Sequence, residues 1–96
     1  MIQIKLFPEV GAFAENKDLA QAIRIKKIIS ALDKNQEVTL DFDKVDSATQ
    51  SFIHALISDL IRQKGISVLD RVYFKNCSET VKTIIRIVTD YMQESV

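Results

Sequence analysis

The densest run of chemically capable side chains lies between residues 41 and 58. Asp41, Asp43 and Asp46 lead into the hydroxyls of Ser47, Thr49 and Ser51, and His54 and Ser58 follow. Three carboxylates this close can be read as hard oxygen ligands for a divalent cation. Their alternation along a strand and turn scatters them, and no second ligand set follows, so no metal site is expected. Ser51 and His54, one helical turn apart, can be read as nucleophile and base. Two neighbours on an exposed helix, however, lack the third orienting group and the oxyanion donors that hydrolysis needs. Ser47 followed by Gln50 also matches a capping box, in which each side chain satisfies an orphan amide at a helix start. What remains is surface chemistry at the carboxyl end of a strand, where α/β domains present groups to ligands.

Composition narrows the alternatives. Thirteen basic and thirteen acidic side chains cancel, so the long-range field that draws proteins to phosphate backbones or anionic lipids is absent, and nucleic acid is not an expected partner. The sole cysteine, Cys77, cannot close an intrachain disulfide, and with a single histidine no structural zinc set exists. Just before a helix start, Cys77 sits where a thiolate would be favoured, although a small structural residue is the plainer reading. Two glycines leave no Gly-rich phosphate cradle, and no small-molecule cofactor is implied. No enzyme is expected. The first residues carry no charged leader, and no apolar run nears the roughly 20 residues that span a bilayer. A cytoplasmic protein without a membrane partner follows as the expectation.

The elements that must position these groups follow from periodicity. At 96 residues, 47% of them hydrophobic and 27% charged, the chain (1–96) is expected to form a single domain. Ile2, Ile4 and Leu6 alternate with Gln3 and Lys5, as does Val38 to Phe42 further on, and Val72 to Lys75 has strand composition. Between and after them run three helical patterns. Leu19, Ala22, Ile25, Ile29 and Leu32 mark the first, behind an Asn16 cap. Phe52, Ile53, Leu56, Ile57, Leu60 and Ile61 mark the second, ending at Gly65. Val81, Ile84, Ile85, Val88 and Tyr91 mark the third, behind a Ser78 cap. The order βαβαβα favours a mainly parallel three-stranded sheet. Alternating strands further predict two layers, with helices mostly on the Ile4/Leu40/Phe74 face and Lys5, Thr39, Asp41, Tyr73 and Lys75 nearer solvent or a partner.

Leu40-Asp41-Phe42, Lys44-Val45, Thr49-Gln50-Ser51-Phe52 with the helix Ile53 to Ile61, and Val72-Tyr73-Phe74-Lys75-Asn76 together resemble the STAS-like family of unknown function found in bacteria. The resemblance spans roughly the whole chain and is strongest from Val38 to Asn76. That family is similar to the STAS domains of anti-sigma-factor antagonists. There a serine at the start of the helix after this strand is phosphorylated by a partner kinase to switch binding. The matching position here is Ser51. Thr49 stands for the family's Asp, Gln50 for its first Ser and Phe52 for its Gly. The resemblance implies a protein partner, a kinase-like ATPase or another signalling protein.

Helical geometry bears on the same residue. Ser51, His54, Ser58 and Arg62 fall in one line opposite Ile53, Leu56, Ile57 and Leu60, so burial of the apolar arc turns Ser51 outward. The function expected is a regulatory, non-catalytic protein-binding module. Ser51 is its candidate phosphorylation site, with Ser47 and Thr49 as alternatives. Asp46, Gln50, Ser51, His54, Ser58 and Arg62 are its candidate contact surface. The alternative is a structural subunit that associates through a sheet edge or the half-polar sheet face, including as a homodimer. Lys17, Arg24, Lys27 and Lys34 share a face of the first helix and form a second candidate stripe, for an acidic partner.

Overall fold

In the computed structural model, which describes residues 2–94, each alternating segment forms a strand of one parallel sheet. Strand β1 is Ile2–Lys5, and a short helix α1, Phe7–Val10, and a two-residue strand β2, Phe13–Ala14, follow it. Helix α2 covers residues 17–33, and strand β3 is Val38–Asp41. A two-residue strand β4, Ser47–Ala48, leads into helix α3, residues 50–64. A 3-10 turn at Ile66–Arg71, strand β5 at Val72–Lys75 and helix α4 at Glu79–Glu94 complete the order. The main sheet runs β1-β3-β5, and β2 pairs with β4 as a separate parallel ribbon.

Register explains the core. Ile4, Leu40 and Phe74 form one cross-strand row, and Ile2, Val38 and Val72 another on the same face. Val38 and Leu40 are fully buried there with Phe52, Leu56, Ile57 and Leu60 of α3 and Val81 and Val88 of α4. The chain is thus α/β with a three-stranded parallel sheet under helices.

On the opposite face one expectation is corrected. Lys5, Tyr73 and Lys75 are exposed, but Thr39 and Asp41 are buried, Asp41 to 5% exposure. Both lie on the central strand, and the long side chains of β1 and β5 flank them on either hand. Alternation identifies which side chains share a face, but not that neighbouring strands can cover the middle row.

Helix α2 is corrected too. Leu19 and Ile25 are exposed, whereas Ala20, Ile23, Ile28, Ala31 and Leu32 are buried. The helix changes from α to π winding over Arg24–Ile29, which inserts a residue relative to the i→i+4 ladder. The step from Ile23 to Ile28 is therefore five residues, and the uniform 3.6 period lands on the wrong side. Asn16 caps α2 as expected, accepting from the Asp18 and Leu19 amides at 2.9 and 3.2 Å. Gly65 follows α3 at φ +87°, where an L side chain is disfavoured.

Helix α4 turns Val81, Ile85, Val88 and Met92 inward, and Tyr91, expected in that stripe, is 55% exposed. Ser78 caps this helix, accepting from the Val81 amide at 3.1 Å. Among the described residues no helix is long and apolar enough to cross a membrane.

Candidate functional site

The site begins where β4 turns into α3. Parallel pairing with β2 sets Phe13 beside Ser47 and Ala14 beside Ala48, and the Thr49 amide extends the ribbon by donating to the Ala14 carbonyl at 2.9 Å. The Asp46 amide donates to the Ala12 carbonyl at 2.8 Å, and the Ser78 hydroxyl to the Asp46 carbonyl at 2.8 Å. The junction is thus pinned both to the segment ahead of α2 and to the start of α4. Ser47 belongs to the strand, so the capping box with Gln50 is not formed. Thr49 is the cap instead, extended at φ −82° and ψ 157°, and its Oγ1 accepts from the Phe52 amide at 3.1 Å.

Beyond that cap the helix divides as its apolar pattern requires. Phe52, Ile53, Leu56, Ile57 and Leu60 are fully buried, and Gln50 and Ser51 are exposed in the first turn. No side-chain hydrogen bond engages Ser51 among the described residues. Three hydroxyls that looked alike in sequence therefore differ: Ser47 lies in a strand, Thr49 is committed to a backbone amide, and Ser51 is open.

The outward line does not run straight down the helix. His54 is half-buried, with its Nδ1 3.3 Å from the Ser58 Oγ and its ring edge-on to Tyr91, the centroids 6.0 Å apart. Ser58, expected on the contact surface, is 1% exposed, and its hydroxyl donates to the His54 carbonyl at 2.7 Å. The cause is again a π-helical stretch, His54–Ser58. One added residue rotates Ser58 inward and brings Asp59 to the surface beside Arg62. Asp46 and Arg62 are exposed as expected, and Arg62 pairs with Asp59 at 2.6 Å.

The proposed basic stripe on α2 is also broken. Arg24 is buried between helices, where it donates to the Ala55 carbonyl and pairs with Asp59 at 2.9 Å. Each helix carries its π-helical stretch at this crossing, so Arg24 ties together the two segments that depart from α winding.

At the carboxyl end of β3, Asp41 is held by three donors. The Asp43 amide and the Asn76 side chain reach Oδ1 at 2.9 and 3.0 Å, and the Gln3 side chain reaches Oδ2 at 2.9 Å. The Asp43 amide is the main cause that lowers its pKa, outweighing burial, and the Asn76 and Gln3 hydrogen bonds and the Lys75 charge add to it. This carboxylate is a brace between the three strands. Cys77, read as a position favouring a thiolate, has its pKa raised, first by burial and then by the Asp41 charge, with Lys82 opposing.

Sequence reasoning missed two contributors to this surface. Tyr91 stands half out of α4 beside His54, and Phe13 is 51% exposed opposite Ser47. The α4 pattern Val81, Ile85, Val88, Met92 was available as a signal for Tyr91. A two-residue strand offers none for Phe13. A family model described as a STAS-like domain of unknown function matches residues 20–82. No curated protein and no solved structure matches the chain.

Proposed function

The chain belongs to the family of STAS-like domains of unknown function, and from that premise we propose that it is a regulatory, non-catalytic module. It binds a protein partner, a kinase-like ATPase, over the start of α3, and phosphorylation of Ser51 controls that binding. The observation that carries the reading is the asymmetry of this helix: Phe52 and Ile53 are fully buried while Gln50 and Ser51 are exposed. A docked partner meets Asp46, Gln50 and Ser51 at one end, with His54 and Tyr91 farther along. Arg62 lies at the far end, where its charge is shared with Asp59.

The switch needs no change of fold. A phosphate on Ser51 adds about −1.5 to −2 charges in the first turn of a helix, whose dipole favours negative charge there. A partner lying over the same turn would desolvate that dianion, which opposes binding unless an arginine answers it. Incubation of the chain with ATP and its cognate kinase-like ATPase, followed by mass spectrometry, tests the reading. Modification at Ser51 supports it. Modification at none of Ser47, Thr49 and Ser51 removes the switch.

A further inference from the structure

Among the described residues the sheet leaves β1 with one side unpaired. In a parallel ladder, alternate residues direct both N–H and C=O to the same neighbour. The Ile2 amide donates to the Glu37 carbonyl at 2.8 Å and the Leu6 amide to the Asp41 carbonyl at 3.1 Å. Ile2, Ile4 and Leu6 thus face β3, and the main-chain groups of Gln3 and Lys5 face the open edge.

Alongside that edge, β1 and the second half of α2 border an open groove of about 610 Å3. Its apolar lining includes Ile2, Ile4 and Ala31, and Ile2 is 37% exposed. Lys5, Lys27, Lys34 and Glu9 also line it. Glu9 is paired with Lys27 at 2.8 Å, which leaves Lys5 and Lys34 without a carboxylate partner among the described residues. The groove therefore combines a row of unpaired backbone groups, an apolar floor and a surplus of positive charge.

We propose that this edge takes up an extended acidic segment of a partner protein as a fourth strand. Main-chain hydrogen bonds to Gln3 and Lys5 would give the pairing, and carboxylates near Lys5 and Lys34 the selectivity. Four residues of β1 span about 13 Å at about 3.3 Å per residue, room for a segment of about four or five residues. Charge argues against a second copy as the occupant. Lys5 and Lys34 line the same groove beside this edge, so pairing two copies through it brings the lysines of each toward those of the other. The site involves neither Ser51 nor α3, so it stands or falls apart from the phosphorylation reading.

The probe is a capped pentapeptide alternating glutamate and valine, titrated into 15N-labelled chain to about 1 mM, the weak end of specific affinities. Expected are the largest amide shifts and slowed hydrogen exchange at Gln3 and Lys5. Lys5→Glu and Lys34→Glu should each weaken binding about threefold or more in variants whose circular dichroism is unchanged. A peptide N-methylated at every residue should not bind. Three results overturn the proposal: no shift at Gln3 and Lys5, an equal response to a lysine-valine peptide, or protection of those amides by self-association of the free chain, which makes a second copy the occupant.

Discussion

The Thr49 hydroxyl accepts a hydrogen bond from the Phe52 amide at 3.1 Å, and this contact separates the roles of two hydroxyls only two residues apart. Loss of a Thr cap costs about 1 kcal/mol, whereas removal of an exposed first-turn hydroxyl that bonds to nothing stays within about 0.5 kcal/mol. Urea denaturation should therefore show Thr49→Ala destabilised by about 1 kcal/mol and Ser51→Ala close to the parent. Equal losses in the two variants would contradict the assignment of Thr49 as the cap.

Asp41 predicts an acid limb of stability. Its folded pKa is lowered, chiefly by the Asp43 amide, so the folded state binds its proton less readily than the unfolded chain. The stabilisation is fully present above the unfolded value of about 3.9 and is lost as pH falls through the lower folded value. Stability measured from pH 7 down to pH 2 should decline below about pH 4, and Asp41→Asn should be less stable at pH 7 with a shallower acid decline. An unchanged acid limb in the variant would exclude Asp41 as its source.

Arg24 and Asp59 form a pair of unequal burial, with side chains 6% and 40% exposed. Removing Asp59 strands a buried guanidinium, for which a fully buried pair would lose about 3–5 kcal/mol. Solvent at the Asp59 end reduces this, and Asp59→Ala should cost about 2 kcal/mol. Addition of Arg24→Met should restore part of that loss, because an apolar stem of similar length fills the space without a charge to neutralise. A double variant no more stable than Asp59→Ala would mean that the Ala55 carbonyl, and not the ion pair, is the larger part of the Arg24 role.

Cys77 predicts slow thiol chemistry. Its pKa is raised, first by burial, so less thiolate is present at neutral pH than in a free cysteine. Alkylation by iodoacetamide at pH 7.5 should be slower in the folded chain than in urea, and its rate should climb only above the ordinary thiol range. A folded rate above the unfolded one would show an activated thiol.

Much of this architecture was legible in the sequence, because strands and helices announce themselves by period. Val38 to Asp41 and Val72 to Lys75 were readable from composition and alternation, and the buried arc of α3 from spacing alone. The errors share a physical origin. Ser58 and Ile25 were misplaced because π-helical stretches in α2 and α3 each add a residue to a count that assumes uniform winding. Arg24 was placed at the surface because charge is normally left in water, and its partners Asp59 and the Ala55 carbonyl lie more than 30 residues away. Ser47 was read as a cap because β4 exists only through its pairing with β2. Ser51 was placed correctly because it precedes the first π-helical stretch of its helix and depends on local geometry only.

The most direct measurement is the affinity of the proposed kinase-like ATPase partner for the chain with and without a phosphate on Ser51, by isothermal titration calorimetry at fixed salt. The account predicts that the unmodified chain binds and that the phosphorylated chain binds at least about tenfold more weakly, a loss of about 1.4 kcal/mol, with its far-ultraviolet circular dichroism unchanged. Equal affinity for both forms would contradict it.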